Sequence, residues 1–238
     1  MIKTRLIEEK IDELFSIKFK FSDNLIKRED NLLKDKYDHN VFEYLNDFSK
    51  EEFISAIKYQ KERNDNFIKF EGYERLNNSF GLEENISLIM VLKNNDVKWN
   101  INKELKFKKP ELNELIDIEV RNFGKLYGED FSRRNAIRLY DKLDYLGAYL
   151  NDKLVAVIYS YTYKNYTCID GLSVDESYRK QYIATSLIYE EVRSHINDII
   201  MLHADLDDTP KDIYSALGFE VKDKLYEYIS TDISKIKL

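Results

Sequence analysis

The sequence predicts an α/β (α+β) protein: a mixed, mostly antiparallel sheet with flanking helices, preceded by a smaller N-terminal α/β segment. Three observations carry this expectation. Apolar runs rich in β-branched and aromatic residues cover 145–150, 154–163 and 166–174, joined by the two-residue turns Asn151-Asp152 and Lys164-Asn165, as in an antiparallel meander. A helical period follows, with Ile183, Leu187, Ile188, Val192 and Ile196 on one face, and then another apolar run at 199–206. Strand, helix and strand in that order imply one parallel pair inside the otherwise antiparallel sheet.

The other elements can be placed around that centre. Residues 105–108 make a short strand that stops at Pro110. Glu111–Phe123 is a helix with Leu112, Leu115, Ile116 and Val120 at helical spacing, punctuated by Gly124 and Gly128. A second helix covers 131–143, with Ser132 as its cap. Further on, Thr209 caps a short helix over 210–217, Pro210 takes its first position and Gly218 stops it. Residues 219–221 and 225–229 close the fold as a hairpin. In the first 97 residues the pattern gives a strand at 17–21, a helix at 51–63, a strand at 67–70, a short helix at 73–78 and a strand at 86–93. This order echoes 183–229, and Phe80-Gly81-Leu82 sits where Leu217-Gly218-Phe219 sits. A weak internal repeat and an unrelated α/β segment both remain open. The division is expected at the polar turn Asn94-Asn95-Asp96, giving a segment 1–97 and a domain 98–238.

Composition narrows the function. The chain of 238 residues carries a formal net charge of -7, with Lys and Arg dispersed, which argues against nucleic acid and favours a cationic substrate such as an amine. Cys168 is the only cysteine, so no intrachain disulfide can form. Residues 1–10 are charged and lack an apolar centre, so no signal peptide is expected, and the apolar run at 86–92 is far too short to span a membrane. A cytoplasmic protein is the expectation. The three histidines, His39, His195 and His203, have no ligand-like partners at metal-site spacing, so no metal is expected.

The most informative stretch is 174–187. A strand ends at Val174, a polar turn carries Arg179 and Lys180, and a helix begins at Ile183. The free N–H groups and dipole of a helix start form a natural anion site. Tyr178-Arg179-Lys180-Gln181-Tyr182-Ile183-Ala184 is similar to the acetyl-CoA loop, (Q/R)-x-x-G-x-(G/A), of the GNAT superfamily of acyl-CoA N-acetyltransferases. Residues 207–220, ending Tyr214…Leu217-Gly218-Phe219, resemble that family's short helix closing in Tyr-x-x-x-Gly-Phe, and the order of elements over 103–231 matches the family's fold. One position departs: Tyr182 stands where the family has its first loop glycine. Such a tyrosine is expected to need a negative φ and a ring turned away, whereas Ala184 conforms.

The resemblance implies a role for each part of the site. Acetyl-CoA would be the co-substrate, its pyrophosphate on the backbone N–H groups of Gln181, Tyr182, Ile183, Ala184 and Thr185, with Arg179 and Lys180 adding charge. The pantetheine arm would bond the backbone of Leu172 and Val174 as an added strand. Asp207 stands where the family often has an Asn on the cofactor arm, or else caps the following helix. Tyr214 would be the general acid for the leaving thiolate. The base is Asp170 or His203; a lone His on an apolar strand is more often a satisfied core residue. Alternation places Asp170 on the same strand face as Cys168 and Leu172. A backbone N–H near Val174 would polarise the carbonyl. The expected function is transfer of an acetyl group to a small-molecule or peptide amine, with no nucleic acid or membrane partner. The alternative is an inactive GNAT-like binding or scaffold module. The N-terminal segment would either shape the acceptor site or form a homodimer contact.

Overall fold

Residues 4–93, 96–208 and 210–236 are described by a computed structural model. The chain begins with helix α1 (Thr4–Phe15), strands β1 (Ile17–Lys20), β2 (Leu25–Glu29) and β3 (Phe42–Tyr44), helix α2 (Lys50–Glu62), and strands β4 (Ile68–Gly72) and β5 (Glu83–Leu92). Strand β6 (Lys106–Lys108), helices α3 (Leu112–Tyr127) and α4 (Glu129–Tyr140), and strands β7 (Asp144–Leu150), β8 (Lys153–Tyr163) and β9 (Tyr166–Val174) come next. Helix α5 (Ile183–Ser194), strand β10 (Ile199–Asp205), helix α6 (Pro210–Ala216) and strand β11 (Phe219–Ser230) complete the order.

Two compact units share the chain, and each is discontinuous in sequence. Unit 1 holds Val91–Leu202 and Ser215–Glu220 with the N-terminal residues to Ile7; unit 2 holds Glu8–Met90, His203–Tyr214 and Val221–Leu238. The expectation cut the chain only once, and Asn94-Asn95 of that turn lie outside the described residues.

In unit 1 the strand order is β10-β9-β8-β7-β6. The pairs β6–β7, β7–β8 and β8–β9 are antiparallel, and β9–β10 is parallel, as the sequence predicts. Asn151 and Asp152 both take positive φ, the conformation a tight hairpin with right-twisted strands demands. Helix α3 starts with a capping box, in which the Glu111 side chain accepts from the N3 backbone and Glu114 accepts from the Glu111 N–H. It buries Leu115, Ile116 and Ile118 and runs through Gly124 instead of stopping at Phe123. Gly124 is needed where α4 approaches, since a Cβ there would come within 3.1 Å of Glu129 Cγ. Ser132 is no cap: it lies inside α4, and its hydroxyl donates back to the Gly128 carbonyl at 3.0 Å.

Unit 2 repeats the order of unit 1. Strands β1, β2 and β3 form an antiparallel meander, α2 crosses over, and β4 returns parallel to β3, just as β7-β8-β9, α5 and β10 do. Strand β11 then pairs antiparallel with β4, from Tyr226↔Gly72 to Ser230↔Ile68. Phe42, Phe48, Phe53 and Phe70 are buried together, with Phe80 packed against them. Two expectations fail here. Residues 73–78 form bends rather than a helix. The hairpin over 219–229 is one continuous strand of 12 residues, of which Tyr226–Ser230 pairs with β4. Strands β2 and β3 and helix α1 were not predicted; β2 hides its identity by burying Lys27, Arg28 and Glu29.

Candidate functional site

The site begins at an irregularity in unit 1. Strand β8 pairs Val157 with Ser173 but Tyr159 with Asp170, so Gly171 and Leu172 together face Ile158. This is a β-bulge, and it re-aims the strand. Gly171 takes φ +60, and a Cβ there would lie 2.0 Å from Tyr159 Cε1, so only glycine fits. The extra residue breaks the expected alternation: Ser173, rather than Leu172, shares the Asp170 face. Opposite Asp170, in one row across the strands, stand Tyr159 and Tyr145.

Asp170 is exposed and well held. Its Oδ2 accepts from the Tyr159 hydroxyl at 3.2 Å and its Oδ1 from the Gly171 N–H at 2.6 Å. Burial, then the neighbouring Asp170 charge, push the Tyr159 phenol well above its usual range, so it stays a donor. Helix α3 braces the strand beyond the bulge: Asn122 Nδ2 donates to Ser173 Oγ at 2.5 Å, and Arg121 Nε lies 3.1 Å from Asp175 Oδ2. Nothing in the sequence pattern singled out Arg121, Asn122 or Gly171, because their roles depend on register.

The parallel partner of β9 stops early. Pairing with β10 runs from Tyr166↔Ile199 only to Ile169↔Leu202. On that side Asp170–Val174 has no strand partner among the described pairs. Leu172 and Val174 therefore sit on a free edge that can accept an extended ligand.

The loop after β9 leads to the start of α5. Asp175 Oδ1 accepts from the Ser177 N–H at 3.0 Å, and Arg179 Nε reaches the Val174 carbonyl at 3.4 Å. Lys180 takes φ 63 and Tyr182 takes φ 58. The expectation of a negative φ at Tyr182 is thus overturned: the tyrosine adopts the left-handed conformation that glycine usually supplies, its ring largely exposed. Asn102 fastens this turn from outside, donating from Nδ2 to the Gln181 carbonyl at 3.2 Å and from its N–H to Ser186 Oγ at 2.9 Å. Ser186 returns both its N–H and its hydroxyl to the Tyr182 carbonyl. No side chain caps α5, and its first turn carries no acidic residue. The N–H groups of Ile183, Ala184 and Thr185 therefore point beyond the helix start with the positive end of its dipole. A pyrophosphate fits these residues: free amides, Arg179 and Lys180 beside them, and a backbone already in the conformations close approach needs.

The equivalent place in unit 2 is closed. Helix α2 is sealed by Ser49 and Glu52 in a capping box, and Glu51 and Glu52 occupy its first turn. An anion would meet two carboxylates there.

The remaining candidates belong to unit 2. His203 Nε2 lies 2.8 Å from Glu8 Oε1, and its Nδ1 lies 3.3 Å from Ser87 Oγ. Both of its ring nitrogens are engaged, as in a satisfied histidine on an apolar strand. Tyr214 is half-buried on α6, and Asp207 is exposed in the turn before it. Thr209, the expected cap of α6, lies outside the described residues.

Comparison with known proteins agrees with this architecture. Residues 112–219 match the model of the acetyltransferase (GNAT) family. A conserved protein of unknown function from Staphylococcus epidermidis ATCC 12228 is similar over 91% of this chain and 94% of its own, at 16% identity and a TM-score of 0.77. A GCN5-related N-acetyltransferase from Kribbella flavida is similar over 95% of this chain and 94% of its own, at 14% identity and a TM-score of 0.64. A tandem GNAT protein from the clavulanic acid biosynthesis pathway covers 87% of this chain with 78% of its own, at 11% identity and a TM-score of 0.56. These likenesses show the fold, and the tandem protein is consistent with a degenerate N-terminal repeat. No curated protein sequence matches the chain. No helix of the described residues is long and apolar enough to cross a membrane.

Proposed function

We propose that the protein transfers an acetyl group from acetyl-CoA to an amine, a reading supported by the match of residues 112–219 to the model of the acetyltransferase (GNAT) family. The single observation that carries this is the loop before α5. It keeps the glycine-type conformation at Tyr182 and leaves the first amides of the helix uncapped. The left-handed Tyr182 speaks for cofactor binding over the inactive module, whose support was the departure from glycine at that position.

The amides of Gln181, Tyr182, Ile183, Ala184 and Thr185 hold the pyrophosphate, and Arg179 and Lys180 neutralise its charge. Leu172 and Val174 bond the pantetheine arm along the free edge of β9, and Asp207 contributes a polar contact to the same arm. When bound, acetyl-CoA supplies the thioester carbon to which the amine nitrogen bonds as the carbon–sulfur bond breaks, leaving an amide and free thiol. Asp170 accepts the proton the ammonium must lose before it can attack, then releases it to solvent. The bulge at Gly171-Leu172 aims backbone N–H at the developing oxyanion. Tyr214 donates its phenolic proton to the departing sulfur and recovers one from solvent. A cytoplasmic location fits the lone, reduced Cys168.

Calorimetric titration with CoA tests the foundation. One site per chain is expected, since the start of α2 is sealed, and Arg179→Ala should weaken binding about tenfold. No heat and no thermal shift at millimolar CoA would refute the proposal. For the chemistry, Tyr214→Phe should slow thiol release without changing CoA affinity.

A further inference from the structure

We propose that Asn102 is a positioning residue that supplies what a loop glycine would: it pins both peptide planes flanking Tyr182 and so keeps the first amides of α5 arranged for CoA. The inference rests on the acetyltransfer proposal in taking CoA as the ligand of this loop.

The need for such a residue comes from the backbone. Tyr182 has φ 58 and ψ 17, and Ile183 begins a right-handed helix. A left-handed residue followed by a right-handed one turns successive N–H groups to one side, forming a concavity that suits phosphate oxygens. Glycine takes positive φ about as readily as negative. A residue with a Cβ is disfavoured there, by roughly 5- to 30-fold in population. An unsupported tyrosine would therefore leave the turn mostly in other conformations. Apparent affinity for an anion falls with the fraction of chains that hold the competent one. Lys180 is also left-handed, at φ 63, so the loop contains two such residues, one on each side of Gln181.

Two rotations define the Tyr182 backbone, and Asn102 restrains each. The first, φ, orients the peptide plane that carries the Gln181 carbonyl, and that oxygen accepts from Asn102 Nδ2 at 3.2 Å. The second, ψ, orients the plane that carries the Tyr182 carbonyl. That oxygen accepts from the Ser186 N–H at 2.9 Å and from Ser186 Oγ at 2.7 Å. Ser186 Oγ in turn accepts from the Asn102 N–H at 2.9 Å, so its single proton is directed at Tyr182.

Asn102 is itself held. Its Oδ1 accepts from the Glu104 N–H at 3.0 Å, which fixes the orientation of the amide and turns Nδ2 to Gln181. Three residues earlier, the Trp99 ring meets Tyr189 of α5 edge-on, with centroids 6.2 Å apart. The chain from Trp99 to Asn102 thus touches α5 at Tyr189 and again at Ser186 before it reaches the turn.

The test is calorimetric titration of CoA into four full-length chains: wild type, Asn102→Ala, Tyr182→Gly and the double variant. Asn102→Ala should weaken CoA about fivefold when Tyr182 is present. In the Tyr182→Gly background the same change should cost less than about twofold, because glycine holds positive φ unaided. Ser186→Ala keeps a good helix former in α5 and should show the same dependence on Tyr182, so it serves if Asn102→Ala does not fold. Asn102→Ala binding CoA as wild type does would overturn the inference. So would an equal loss in both backgrounds, which marks a residue that touches the ligand or only supports the fold. Wild type that binds no CoA removes the acetyltransfer reading and this inference with it, whereas CoA binding indifferent to Asn102 removes this inference alone.

Discussion

Replacing Lys27 with Met should make the protein more stable. Lys27 is completely buried in unit 2, and its ammonium has no hydrogen-bond partner. It lies 4.3 Å from the centroid of the Phe42 ring. Burial is the main cause that pulls its pKa from 10.5 down to about 7, with Arg63 and Arg28 lowering it and Glu29 and Asp65 raising it. A shift of that size penalises folding by on the order of 5 kcal/mol at pH 7 and below. The Phe42 ring face returns up to about 2 kcal/mol of that to the charged form. Methionine fills nearly the same space without the ammonium, so the variant should gain about 3 kcal/mol at pH 7, or about 6–12 °C in Tm. The unfolded chain binds the proton up to pH 10.5, whereas the folded chain loses it near 7. Wild-type stability therefore rises with pH across that window, and the advantage of the variant should shrink. Urea unfolding followed by circular dichroism at pH 7 and pH 9.5 measures both quantities. A variant no more stable than wild type at pH 7, or an advantage equal at both pH values, would refute the reasoning.

Two further substitutions probe other parts of the molecule. Tyr182→Gly relieves about 1 kcal/mol of left-handed strain and gives back a similar amount in unfolded-chain entropy, so Tm should hardly move and CoA affinity should be retained. Tyr182→Pro forces φ to about −65° and should abolish CoA binding, measured by calorimetry. In unit 2, buried Arg28 meets Asp12, Glu43 and Glu71. Arg28→Met should destabilise by about 3–5 kcal/mol, because three carboxylates lose their counter-charge. Burial already raises Asp12 to about 6 and Glu71 to about 7, so their protons are bound more tightly when folded. Stability of the variant should thus improve as pH falls from 8 to 5, and a Tm that drops over that range would contradict this.

The legible parts of the sequence were those governed by local rules. Residues 145–206 alternate, turn and coil in ways that apolar spacing and two-residue turns dictate, and the structure follows them almost residue for residue. The order of elements there also led to the loop at 175–182. What stayed hidden depended on contacts distant in sequence. Strand β2 carries Lys27, Arg28 and Glu29, which look solvated until Glu43, Glu71, Tyr59 and Arg63 are seen around them. The bulge at Gly171 exists only in relation to Tyr159, so alternation placed Leu172 on the wrong face. Tyr182 was misjudged because propensity forbids a left-handed tyrosine, while Asn102, 80 residues upstream, helps to hold it there.

The pairing of β11 with β4 sets a schedule for synthesis. Gly72 and its pairing partner Tyr226 lie about 150 residues apart, so at about 5–20 residues per second a nascent chain carries β4 with one open edge for roughly 10–30 s. During that interval the aromatic cluster around Phe42, Phe48 and Phe70 is already translated but lacks Tyr228, which joins the same core. That open edge is a template for pairing with other chains until β11 is made, independent of what the protein catalyses once made.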